Sequence, residues 1–109
     1  MNQPNTPAEA FLNEVLRPIL KSQNALLLAL FLHQAEKRKA EFTRFAPEDQ
    51  RRYIEQTIRR DVNFRSFLLG TIIGQLTAEQ YAAYRMLEEE LNRRTVNMLI
   101  QRLQSQLCS

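Results

Sequence analysis

From Phe11 onward the apolar residues of this chain recur every three to four positions, the period of an α-helix rather than the alternation of a strand. Phe11, Leu12, Val15, Leu16, Ile19 and Leu20 make the first such stripe. It follows Thr6-Pro7-Ala8-Glu9, a capping box in which Thr6 and Glu9 satisfy each other's backbone N–H and Pro7 sits where a missing N–H costs nothing. The stripe runs straight through Pro18, although a proline inside a helix removes one backbone bond and crowds the preceding turn. The pattern therefore predicts a short helix over about 7–16 and a kink or break before a second helix over about 18–44, with Lys37-Arg38-Lys39 near its end complementing the helix dipole.

Phe45-Ala46-Pro47 stops that second helix, since the residue before a proline leaves the α region. Pro47-Glu48-Asp49 begins another, predicted over about 47–73, with Tyr53, Ile54, Thr57, Phe64, Leu68 and Ile72 on one side. Asp61-Val62-Asn63 has weak helix propensity, but the stripe resumes in phase beyond it. Gly74 suits a helix C-terminus. Thr77-Ala78-Glu79-Gln80 is a second capping box, and nothing stops the helix that follows until about 105. No alternating runs and no Asn-Gly or Asp-Gly turns suggest strands. The expected architecture is all-α: an elongated antiparallel bundle of three long helices (about 18–44, 47–73 and 78–105), each about 40 Å long at 1.5 Å per residue, plus the short N-terminal helix. One domain over 1–109 is expected, with 1–6 as a flexible lead.

The last helix carries more apolar surface than one core-facing side needs. At 100° per residue, Tyr84, Leu87, Leu91 and Met98 lie in one arc, while Val96, Leu99, Ile100, Leu103 and Leu107 form a second stripe rotated away from it. Two stripes predict an interface with a partner, and a two-fold homodimer is the expected assembly. The alternative is that Phe11, Leu12, Val15 and Leu16 of the same chain cover the second stripe.

Composition narrows the function classes. The 109 residues are 44% hydrophobic and 25% charged, with a net charge of +3, which fits a folded domain and not a disordered tail. The longest apolar run, Ala25 to Leu32, falls far short of the ~20 residues of a membrane span. No secretory leader is evident, and the one cysteine, Cys108, excludes an internal disulfide, so a soluble cytoplasmic protein is expected. Of the 15 cations 12 are arginine, the residue suited to bidentate anion recognition. Arg51, Arg52, Arg59, Arg60 and Arg65 are the best candidate contacts for an anion or nucleic acid, and a small basic nucleic-acid-binding protein is the alternative function. Against it, Glu48 and Glu55 interleave the cluster, and Tyr53, Phe64 and Phe67 read as core residues rather than base-stacking platforms.

Catalytic groups are sparse. His33, the single histidine, sits at the rim of an apolar face with no second histidine to share a metal or haem. Cys108 has no neighbour in sequence to activate it, and reads as a thiol at a frayed end. Glu88, Glu89 and Glu90 fan over about 200° of a helix, so they read as a solvated face in which Glu89 pairs with Arg93 and Glu90 with Arg94. Gly70 and Gly74 form a small-xxx-small pair that permits a close helix crossing or ends the helix. No cofactor, metal or membrane is expected. The expected function is a non-enzymatic, self-associating regulatory or adaptor module that works through helix-on-helix contact.

Overall fold

A computed structural model describes residues 6–108, and among them every regular element is helical. The expected flexible lead lies outside the described residues apart from Thr6, which caps α1 (Pro7–Phe11) with the anticipated box: Thr6 N–H to Glu9 at 3.2 Å and Glu9 N–H to the Thr6 hydroxyl at 3.1 Å. A π-helical turn (Leu12–Leu16) and α2 (Arg17–Ser22) continue the same rod. The helical run passes through Pro18 without a break. The Arg17 N–H reaches back five residues to the Leu12 carbonyl, and this wider turn gives the proline ring room. The turn also keeps one line of residues facing inward. Ala8, Leu12, Leu16 and Leu20 are all buried, although in a regular helix each fourth residue drifts by about 40°.

The break expected at Pro18 falls instead at Gln23, where the chain bends by 62° into α3 (Asn24–Lys37). This helix stops at Lys37, short of the expected 44. Lys39 takes a left-handed φ of 60°, its N–H bonds the Glu36 carbonyl at 2.9 Å, and the Ala40 N–H bonds the Ala35 carbonyl at 3.0 Å. That pair of bonds is the Schellman ending, here built on lysine where glycine is usual. Lys39→Gly is expected to raise stability by about 1 kcal/mol, because a Cβ is disfavoured in that conformation. A urea midpoint that stays put or falls would contradict this.

A short 3₁₀ turn (Phe42–Arg44) leads to α4 (Pro47–Arg60), with Glu48 and Asp49 in its first turn. The expected long helix over 47–73 is two helices. Asp61 leaves the helical region (φ −89°, ψ 91°) and caps α5 (Val62–Ile73) by accepting the Phe64 N–H at 3.0 Å. Gly74 ends α5 in the ordinary right-handed region (φ −61°), so its conformational freedom is not used there. The Thr77–Gln80 capping box opens α6 (Ala78–Arg85) as anticipated. The expected 78–105 helix is also divided, at Met86-Leu87, where a tight turn bonds the Leu87 N–H to the Tyr84 carbonyl at 2.9 Å. α7 (Glu88–Leu107) then starts with Glu88, Glu89 and Glu90 in its first turn, where acids complement the positive end of the dipole. Three uninterrupted long helices are thus not present; the longest element, α7, has 20 residues.

α7 touches α4, α5, α6 and the π turn. Buried residues from Ala8 to Leu103 form one hydrophobic cluster, with Leu91, Leu99 and Leu103 of α7 in it. At the far side Phe31 is closed in by Phe42, Tyr53 and Phe64, at centroid distances of 5.5, 6.0 and 6.4 Å. Reciprocal amide bonds between Asn24 and Gln106 at 2.8 and 2.7 Å fasten the start of α3 to the end of α7. The described chain measures 43 × 34 × 23 Å with a radius of gyration of 14.9 Å, somewhat above the ~13 Å of an average compact chain of this length.

Candidate interaction surface

The apolar residues expected to meet a partner on the last helix are already covered by their own chain. Tyr84, Leu91, Val96, Ile100 and Leu103 are buried, and Leu87, Met98 and Leu107 are half-buried against the same core. The two stripes exist because α7 lies among several other elements, each taking a different side of it. The π turn, with Leu12 and Leu16, is one of these covers, as the alternative held. These residues offer no exposed docking surface. Tyr84 illustrates the interior setting: its hydroxyl donates to Asn92, and burial, followed by the nearby Glu88 charge, pushes its pKa above the usual tyrosine value.

The five expected arginines do not converge on one site as a set. Arg52 pairs with Asp49 at 2.8 Å, and Arg59 with Glu55 at 3.1 Å and Asn97 at 3.0 Å. Arg65 folds back onto the carbonyls of Ile58 at 3.3 Å and Arg59 at 2.7 Å, closing the end of α4. Arg51 lies near Cys108, where its charge partly offsets the rise in thiol pKa caused by burial. That thiol, just past the end of α7, is partly buried against the core. Of the five, Arg51 and Arg60 make no side-chain ion pair or hydrogen bond among the described residues. Three of the five, Arg52, Arg59 and Arg65, thus act as local ties; Arg59 and Arg65 line one open crevice with Arg93, and no single groove gathers all five. Of the two expected glutamate pairs, Glu90–Arg94 forms at 3.5 Å, and Arg94 also approaches Glu9 at 4.0 Å; Glu89 and Arg93 form none.

Arg60 borders an open crevice of about 490 Å³ with Arg38, Tyr53, Gln56, Thr57 and Asp61. Asp61 is the polar centre of this region. Its carboxylate accepts from the Phe64 N–H, from Gln34 Nε2 at 3.3 Å and from Arg38, with which it forms an ion pair. Three donors hold it in place and tie the end of α3 to the α4–α5 junction. The Tyr53 hydroxyl is buried with no hydrogen-bond partner among the described residues. A buried hydroxyl left unpaired costs free energy, so Tyr53→Phe is expected to stabilise the fold by about 1 kcal/mol; a lower thermal midpoint would contradict this. Among the described residues no three His, Cys, Asp or Glu side chains gather at metal-binding distance. His33 is exposed on α3.

What does stand outward is the far side of α5 and of α3. Phe67 is 54% exposed and Val62 57%, and Asn63, Ser66, Gly70 and Gly74 are exposed with them. The placement of Phe67 in the core is therefore corrected. It lies about 100° around the helix from the centre of the Phe64–Leu68–Ile72 line, too far to turn inward. On α3 the outer side carries Ala25, Leu26, Ala29 and Leu32 beside His33 and Glu36. The wheel held this signal: both helices are apolar on more sides than one core contact uses. No single described helix is long and apolar enough to cross a membrane; the bent pair Pro7–Ser22 and Asn24–Lys37 passes that test jointly, but Leu12, Leu16, Leu20, Leu27 and Phe31 of the pair are buried in the core. Compared with known proteins, the chain matches no family model, no curated protein and no solved structure.

Proposed function

We propose that this chain is a non-enzymatic helical module of one domain, a bundle of short crossing helices gathered around α7, that works by helix-on-helix contact and first of all associates with itself. The observation that carries this reading is α5, a helix of 12 residues whose one charged side chain, Arg65, is turned back onto the carbonyls of α4. Its inner side fills the core with Phe64, Leu68 and Ile72, yet its outer side presents Phe67 and no charge. That outer side is uncharged rather than apolar throughout, with Phe67 standing among Asn63, Ser66 and Gly70. Depletion of charge around an exposed aromatic is the composition of the centre of a protein interface.

The polar chemistry supports the same reading. Asp61, Arg52, Arg59 and Arg65 are committed to partners within the chain, and none faces another across a cleft in the arrangement of a nucleophile and its base. Light scattering on the eluting protein over a range of concentrations tests self-association. The expected molar mass rises from 12.8 kDa toward twice that value, and a mass constant at 12.8 kDa up to millimolar protein overturns the reading.

A further inference from the structure

We propose that the outer face of α5 is the seat of a two-fold contact between two copies of this chain, with Phe67 of each copy lying over Gly70 of the other. The inference rests on the self-association read above and adds its place and geometry. Gly70 is the starting observation. It sits inside α5 and is exposed, and a Cβ built there would meet no atom within 4 Å. Nothing in its own chain requires a glycine, and at such a position glycine costs about 1 kcal/mol relative to alanine. The residue leaves a shallow hole on the helix surface, and one turn earlier Phe67 stands out as a knob.

Knob and hole are spaced so that the face complements itself. When two copies of α5 run antiparallel with the axis between Leu68 and Leu69, Phe67 comes opposite Gly70, Ser66 opposite Thr71, and Asn63 opposite Gly74. Every exposed position of the helix between 63 and 74 then has a partner: bulk meets hole at the centre, and small or polar residues meet at the ends. A two-fold axis sets each patch against itself, so a charged patch would repel its own copy. This face carries no charge of its own. The arginines that border it, Arg60 beside Asn63 and Arg93 beside Ser66, lie toward its first turns. The antiparallel pairing sets those turns against Thr71 and Gly74 rather than against each other. The outer side of α3 is the contrasting case: it carries His33 and the charged Glu36 on the face itself and ends at Lys37, so a second copy would have to bury or pair charges there. An unrelated partner would have to supply both a knob and a hole of its own, whereas a second copy supplies them already.

The size of the face sets the strength. A helix of 12 residues is about 18 Å long. Its footprint supplies roughly half or less of the ~800 Å² per partner of a stable interface. The contact is weak and reversible, with dissociation in the micromolar to millimolar range.

Sedimentation equilibrium of the full chain, compared with three variants, tests the assignment. Phe67→Glu removes the knob and places a charge against its own copy. Gly70→Gln fills the hole with a good helix former whose Cβ meets nothing within 4 Å in its own chain. Leu32→Glu alters α3 as a control. The expected result is at least tenfold weaker association for Phe67→Glu and for Gly70→Gln, with Leu32→Glu like the parent and helical circular dichroism unchanged in all. If Phe67→Glu unfolds, Gly70→Gln alone decides. A parent that associates while both α5 variants associate equally well overturns the α5 contact and leaves self-association standing. A parent that is monomeric at millimolar concentration overturns both.

Discussion

Phe31→Ala is expected to cost about 3–5 kcal/mol of folding stability, the range for removing a fully buried aromatic ring. Phe31 has no exposed surface, and its ring meets Phe42 of the 3₁₀ turn, Tyr53 of α4 and Phe64 of α5. One side chain on α3 thus closes three other segments together, and the edge-on ring contacts add to the area it buries. Because small domains typically hold about 5–15 kcal/mol in all, the variant is expected to be only marginally folded. Urea unfolding followed by circular dichroism measures the loss. Phe67→Ala provides the comparison: at an exposed position its effect on the fold is expected to stay within about 0.5 kcal/mol. Equal losses for the two phenylalanines would contradict the inward and outward sides assigned to α3 and α5.

Asp61→Ala is expected to have the next largest effect, about 2–3 kcal/mol, from the sum of a lost helix cap and lost charge-assisted hydrogen bonds. The carboxylate caps α5 and ties Gln34 and Arg38 of the α3 end to the α4–α5 junction. Asp61→Asn separates the two parts. Asparagine caps helices about as well as aspartate but carries no charge, so it is expected to lose only about 1 kcal/mol. Chemical unfolding of both variants makes the comparison, and equal losses for alanine and asparagine would show that the cap contributes nothing.

How far these features could be read from the sequence depended on whether the signal was local. Thr6-Glu9, Pro47 and Thr77-Gln80 are complete within four residues, and each starts a helix where expected. The breaks at Gln23, Lys39, Asp61 and Leu87 carry no glycine or proline. They are set by what the following segment must reach: Lys39 holds a strained φ so that Phe42 can close on Phe31, and Asp61 leaves the helix to meet Arg38 from another element. Pro18 misled in the opposite direction, because a π turn absorbs a proline that a regular helix would not. The Glu88–Glu90 run was a helix start read as a helix middle, for lack of a capping side chain at Leu87.

The two stripes of the last helix show a related limit. Two stripes on one helix tell that it has two neighbours, not whether the neighbours belong to another chain. On α7 both are internal, so Val96, Ile100 and Leu103 are core. On α5 the reverse holds. Phe67 matched the composition of a core residue, and only its angle from Phe64, Leu68 and Ile72 marked it as outward. Angle around the helix, rather than apolar content, is the quantity that separates the two cases.

The most direct measurement is a dilution series of amide NMR spectra of the full chain, assigned along the backbone. A two-fold contact on α5 predicts that the resonances of Asn63, Ser66, Phe67, Gly70, Thr71 and Gly74 move together and saturably with concentration, while those of Val96, Ile100 and Leu103 stay still. Spectra independent of concentration, or shifts that gather on α7 instead, would contradict it.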